Sequence, residues 1–224
     1  MSHQHLRRAL LLAFLLAAAV DLGSLLAGAE LGHLIAKPLL MPLLAGYAAT
    51  RGAPRLLVAA LLLGWGGDVF LLSDADGAFL VGMGSFAVGH VCYLVLFGRR
   101  RTSLALGAAY GVALLGTVLA LWPDLPADLR IPLVGYSMLL TAMAYRSSSL
   151  GLLAGAGGAL FLLSDTLIAT DIAGWPQLPA PDFWVMLTYI AAQFLLTEGT
   201  LRATYGDRRT KAPRAMYGER RTKA

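Results

Sequence analysis

Apolar runs of about 20 residues recur along nearly the whole chain, separated by short segments that hold most of its charge. About 20 apolar residues is the length a helix needs to cross the hydrocarbon core of a bilayer. Of the 224 residues, 58% are hydrophobic and 14% are charged, well under the roughly 25% of a soluble domain. A chain this apolar has no stable soluble fold, and inside lipid its backbone must be satisfied by helices or a closed barrel. The runs are rich in Leu, Ala and Gly and lack a two-residue alternation, which selects helices. The expected fold is all-α, a polytopic bundle of eight transmembrane helices near 6–27, 31–50, 55–73, 78–98, 102–122, 128–146, 150–170 and 181–203.

The connecting segments give these spans a direction. Arg7 and Arg8, Arg51 and Arg55, Arg99 to Arg101, Arg146 and a basic tail fall on one side. Glu30, Asp74 and Asp76, Asp124 and Asp128, and Asp171 and Asp182 fall on the other, where Arg130 is the one strong cation. Lys and Arg accumulate in cytoplasmic loops, so both termini are expected in the cytoplasm of a bacterial-type inner (plasma) membrane. The first run follows Arg7 and Arg8 as a secretory leader would. It continues through Leu26 with further runs behind it, which suits a retained first helix.

Residues 1–204 form the expected membrane domain and 205–224 a basic, disordered cytoplasmic tail. The tail contains a short duplication, Tyr205–Ala212 repeated as Tyr217–Ala224. It accounts for much of the net charge of +5, so that charge is no sign of a nucleic-acid partner. The one cysteine, Cys92, excludes an internal disulfide and a thiolate metal cage. Gly107 with Gly111 and Gly151 with Gly155 are spaced to let helices approach closely, within the bundle or in a homodimer. Pro38 and Pro42 each remove a backbone donor inside the second run, beside Lys37.

Ionisable residues inside the apolar runs mark the functional region. Asp21, Asp68 and Asp165 are carboxylates where insertion costs about 3 kcal/mol each. Counting about 1.5 Å per residue puts them, with Lys37, in the outer part of the membrane. Tyr189 comes somewhat deeper, and His90, Tyr93 and Gln193 approach its middle. Phe86, His90 and Tyr93 share one helical face, as do Tyr189 and Gln193. Gly64, Gly66 and Gly67 leave room beside Asp68 for a ligand or a neighbouring helix. Three carboxylates facing one ammonium cannot all stay ionised at low dielectric, so at least one is expected to hold a proton near neutral pH. A protonated carboxyl beside an ionised one is equipped for general acid–base chemistry. A structural ion pair between Lys37 and one aspartate is the plainer alternative. Glu198, near the inner end of the last run, would snorkel or pair with Arg202 one turn on. No two candidate ligands show the close helical spacing of zinc motifs, and no nucleotide-binding loop occurs, so neither metal nor cofactor is expected.

Five pieces carry a resemblance. They are Lys37-Pro38, Gly67-Asp68 with Val69-Phe70-Leu71-Leu72, Phe86-x-x-Gly89-His90-x-x-Tyr93, Gly158-Ala159-x-Phe161-x-x-Ser164-Asp165, and Tyr189-x-x-x-Gln193. In this order and spread over spans two to eight, they resemble the YhhN-like integral membrane proteins, which include the animal lysoplasmalogenases. The resemblance implies a hydrolase that cleaves the vinyl-ether bond of a lysophospholipid, releasing a fatty aldehyde and a glycerophospho head group. It makes Asp68, Asp165 and His90 the catalytic candidates, with Lys37, Tyr93, Tyr189, Gln193 and Asp21 as substrate-binding ones. The implied partners are the lysophospholipid and membrane lipids. A proton-coupled carrier is the rival reading, since buried Asp, Lys and His also build proton relays. The similar surroundings of Asp68 and Asp165 further suggest two four-helix halves related by duplication.

Overall fold

A computed structural model describes residues 3–221, with side chains described as far as Gly206. The described residues form eight α-helices and one single-turn 3-10 helix, Ser148–Leu150. The α-helices are α1 (His3–Ala27), α2 (Glu30–Thr50), α3 (Arg55–Phe70), α4 (Ala78–Phe97), α5 (Leu104–Leu121), α6 (Ala127–Ser147), α7 (Leu152–Ile172) and α8 (Pro181–Arg221). The first seven each match an apolar run of the sequence to within a few residues, and α8 begins where the eighth run does. α8 runs on past residue 204 without a break, and residues 222–224 of the tail lie outside the described residues.

Five of the eight, α1, α2, α4, α5 and α7, are long and apolar enough to cross a membrane. α3 has 16 residues, about 24 Å of helix against a hydrocarbon core of about 30 Å. α6 and α8 are diluted by charge: α6 carries Asp128, Arg130 and Arg146, and α8 carries Asp182, Glu198 and Arg202 between its start and residue 204. Large apolar side chains point outward around the bundle, with Leu104 and Leu152 almost fully exposed and Val112 and Leu31 close behind. That much exposed hydrocarbon suits lipid and not water. This is an integral membrane protein.

Turn chemistry sets the breaks. Gly52, at φ +66°, closes α2 in a conformation that only glycine adopts freely, and Pro54 then stands immediately before α3. Helix contacts run in a circuit from α1 through α2, α3, α4, α6, α7 and α8 back to α1, and α8 also reaches α2 and α3. α5 lies outside this circuit, against α6 and, more lightly, α7. The two halves expected from sequence are therefore not equivalent in their first helices, because α1 is part of the circuit and α5 is not.

α7 and α8 pack backbone against backbone, with glycines in place of side chains. A Cβ on Gly157 would lie 2.7 Å from the Leu196 nitrogen, and one on Gly199 would lie 2.5 Å from that of Ala154. Within the bundle the Gly107/Gly111 and Gly151/Gly155 pairs do not act as pairs. Gly107 packs on the Tyr145 ring and Gly155 on Ser148, while Gly111 and Gly151 face open space.

The charged loops gather at opposite ends. At the basic end the Arg146 guanidinium donates to the carbonyls of Arg100, at 2.9 Å, and Gly98. Glu198 also belongs here, but it does not snorkel or pair with Arg202. Its Oε1 accepts from Arg51 Nη1 at 2.5 Å and from the Tyr47 hydroxyl at 2.7 Å, because α8 passes the end of α2. At the acidic end the Trp175 indole donates to Asp124 at 2.8 Å. A main apolar core including Phe14, Leu40, Leu57, Phe97 and Leu196 fills the bundle. A second, smaller cluster of Leu121, Leu125, Leu133 and Ala173 closes the ends of α5, α6 and α7 on the acidic side.

Candidate active site

A cavity of about 330 Å³ lies toward the acidic end and is bordered by residues of every helix except α1. Its wall is mainly apolar, but Lys37 of α2, Asp68 of α3, Tyr136 of α6, Asp165 of α7 and Tyr189 of α8 all border it. Side chains scattered over 153 positions of sequence thus converge on one space, from Lys37 to Tyr189. An apolar pocket with a few convergent polar groups is the usual form of a small-molecule site.

The two carboxylates are held alike. The Tyr189 hydroxyl donates to Asp68 Oδ2 at 2.8 Å. Gln193 Nε2 donates back to Tyr189 at 3.5 Å, and the Tyr93 hydroxyl donates to Gln193 Oε1 at 2.8 Å. On the other side, the Tyr136 hydroxyl donates to Asp165 Oδ2. The Tyr136 oxygen lies 3.1 Å from His90 Nε2. Because Tyr136 gives its only proton to Asp165, His90 must be the donor in that contact and carries its proton on Nε2. His90 Nδ1 is then a buried lone pair with no partner among the described residues. Each aspartate is fixed through one oxygen, and the Oδ1 of neither accepts a hydrogen bond from the described residues.

An aromatic cage stiffens this arrangement. Phe161 meets Tyr189, Phe86 and His90 edge-on, with ring centroids 5.5, 6.2 and 4.9 Å away, and Phe86 meets Tyr189 the same way at 5.9 Å. The glycines preceding Asp68 make room for neighbouring helices and not for a ligand. Gly67 lies against the Phe86 ring, Gly66 against Ser85, and a Cβ on Gly64 would press on Gln193 and Tyr189 at 3.2 Å.

The cation is placed to act at a distance. Lys37 makes no ion pair within 4.0 Å among the described residues, yet it stands within electrostatic reach of both Asp21 and Asp68. Asp21 is fully buried and bonds His33 Nδ1 at 2.8 Å through Oδ1, while its Oδ2 has no partner. His33 and Lys37 are one turn apart on α2, so Asp21 fixes the face of α2 that carries Lys37.

Of the eight residues expected from sequence, four border the cavity: Lys37, Asp68, Asp165 and Tyr189. His90, Tyr93 and Gln193 stand behind it, each one hydrogen bond or more from a bordering side chain. Asp21 does not border it and is tied to His33. Sequence reasoning missed Tyr136 and His33. The one-turn spacing to Lys37 was a signal for His33, and a depth similar to that of His90 was the only one for Tyr136. No group of three or more His, Cys, Asp or Glu side chains capable of holding a metal ion occurs among the described residues.

Comparison with known proteins bears on these same residues. The sequence profile of the YhhN family matches residues 32–200, a stretch that contains every residue bordering the cavity. The chain belongs to the YhhN family. Among its YhhN relatives, the human protein named lysoplasmalogenase TMEM86B is 35% identical over 171 residues, covering 71% of each chain. The pig protein of the same name is 38% identical over 155 residues, covering 68% of this chain and 63% of that one. A Mycobacterium tuberculosis protein named lysoplasmalogenase is 33% identical over 159 residues, covering 65% and 60%. No solved structure matches this YhhN protein.

Proposed function

We propose that this protein is a lysoplasmalogenase-type hydrolase, which cleaves the vinyl-ether bond of a lysophospholipid within the membrane. The observation that carries the reading is the pair of tyrosine-held carboxylates, Asp68 and Asp165, bordering one largely apolar cavity beside the Lys37 ammonium. The relatives named lysoplasmalogenase support it independently.

The chemistry follows from the bond. A carboxylic acid protonates the outer alkene carbon of the O–CH=CH unit, leaving an oxocarbenium ion. A carboxylate stabilises that cation and takes a proton from the water that adds to it. The resulting hemiacetal collapses to a fatty aldehyde and the free glycerol hydroxyl. The charge development resembles that in glycoside hydrolysis, with carbon protonated in place of oxygen. Asp68, which stands within electrostatic reach of Lys37, is assigned the carboxylate role and Asp165 the acid role. The proton that Asp68 takes up returns to Asp165 through the cavity they share, and Tyr136, backed by His90, holds Asp165 in place. Tyr189, Gln193 and Tyr93 hold Asp68 in place. Lys37 attracts the substrate phosphate, and Asp21 with His33 positions Lys37.

We further propose that all eight helices cross the membrane, α3, α6 and α8 burying their polar residues against neighbours, with the basic end in the cytoplasm. The membrane domain then ends near residue 204. A carrier would need ionisable groups free toward both ends. Glu198, a partly buried acid near the basic end, is occupied by Arg51 and Tyr47. The test is purified protein in lipid nanodiscs supplied with alkenyl-, alkyl- and acyl-lysophospholipids. Aldehyde from the alkenyl lipid alone is the expected result.

A further inference from the structure

The α5 helix is packed unlike any other. Of its 18 residues only Leu121 is buried, and it has its firm contacts at its two ends. At the basic end Thr102 donates to the Tyr145 hydroxyl at 2.5 Å, and Gly107 and Tyr110 rest on the Tyr145 ring. At the acidic end Leu121 enters the small apolar cluster with Leu125 and Leu133. Between these anchors the inner face of α5, from Ala113 to Val118, borders the cavity instead of packing on a helix.

The cavity therefore has a direction. That apolar cluster closes its acidic end, while its wall continues toward the basic end as far as Ala113 on α5, Thr141 on α6 and Ala159 on α7. Ala159 lies six residues from Asp165 on one helix, about 9 Å further toward the basic end. Ala113, Ala159 and Leu163 both border the cavity and are exposed, so the gap between α5 and α7 opens sideways toward lipid. Past the carboxylates this limb is lined mainly by Leu114, Leu140 and Leu163, with Thr141 at its far end and no charged group.

We propose that the groove behind α5 is the binding site for the hydrocarbon chain of the substrate. One alkyl chain runs from the carboxylates past Leu140 and leaves for the bilayer between Ala113 and Ala159. This rests on the lysophospholipid reading and adds the chain subsite and its side door. Two small residues at the door make the gap. Filling it would exclude a long chain while leaving the carboxylates untouched.

Two measurements test it. In the first, the wild-type protein in nanodiscs is irradiated with a lysophospholipid carrying a diazirine at the chain terminus, and adducts are mapped by mass spectrometry. Adducts on α5 and α7 around Ala113 and Ala159 are expected, and adducts confined to α1, α2 or α3 would overturn the proposal. In the second, Ala113→Trp and Ala159→Trp are compared with wild type on long- and short-chain alkenyl substrates. The expected result is a loss of about tenfold or more in kcat/KM for the long chain with the short chain unchanged. Equal effects on both, or no effect on either, would overturn it. If the wild type releases no aldehyde at all, the hydrolase reading fails, and the adduct map alone still decides where the chain lies.

Discussion

Tyr136 gives its phenolic proton to Asp165 and takes a hydrogen bond from His90 on the same oxygen, so the acid on α7 is coupled to the histidine on α4 through a side chain of α6. Tyr189 does the corresponding work for Asp68, with Gln193 and Tyr93 behind it. Two carboxylates bordering the same cavity are thus oriented by separate relays from separate helices. Each can be broken without touching the carboxylate itself.

Tyr136→Phe removes the shared hydroxyl and leaves one donor and one acceptor buried without partners. Such a group costs about 1–3 kcal/mol, which at the transition state is roughly 5- to 150-fold in rate. Aldehyde release should fall within that range while KM changes little. Steady-state kinetics on Tyr136→Phe beside Tyr189→Phe checks both relays.

Lys37→Met removes the ammonium that meets no carboxylate at ion-pair distance. If it receives the substrate phosphate, the loss is that of a charge-assisted hydrogen bond, about 1.5–3 kcal/mol. KM for phosphate-bearing lysolipids should rise by about tenfold or more. KM for an alkenyl glycerol without phosphate should stay as it is. Equal effects on both substrates would show that Lys37 serves Asp68 instead.

His33→Ala strands Asp21, which is fully buried and already has one oxygen without a partner. Leaving a buried carboxyl oxygen without its hydrogen-bond partner costs about 1–3 kcal/mol. The variant should lose that order of stability in denaturant titration, and Asp21→Asn in the same background should recover part of it. No recovery would mean that the pair is not formed in the folded protein.

Gly157→Ala and Gly199→Ala insert a methyl group where α7 and α8 nearly touch. Overpacking of this kind costs about 1–3 kcal/mol. It also moves Asp165 on α7 relative to Tyr189 on α8, so activity should fall together with thermal stability. Gly111→Ala faces open space and should change neither.

The helices were legible because their ends are written in local chemistry, in arginines, aspartates and turn glycines between apolar runs. Asp68, Asp165 and Lys37 were legible because charge within such a run is costly and therefore conspicuous. Tyr136 was not, since a tyrosine in a membrane helix adds little cost and its value depends on α6 lying between α4 and α7. Glu198 was assigned the wrong partner for the same reason: Arg51 is 147 positions away, and only the packing of α2 against α8 brings them together. The outlying position of α5 was equally hidden, because its composition matches that of helices buried in the circuit.

The central claim is that Asp68 and Asp165 act on the same bond. Its most direct test is aldehyde release from an alkenyl-lysophospholipid by wild type, Asp68→Asn and Asp165→Asn, each shown by gel filtration and thermal melting to be folded. General acid–base groups contribute about 10²–10⁴ in rate, so each variant should lose at least about a hundredfold. Folded variants that release aldehyde at the wild-type rate would contradict the account.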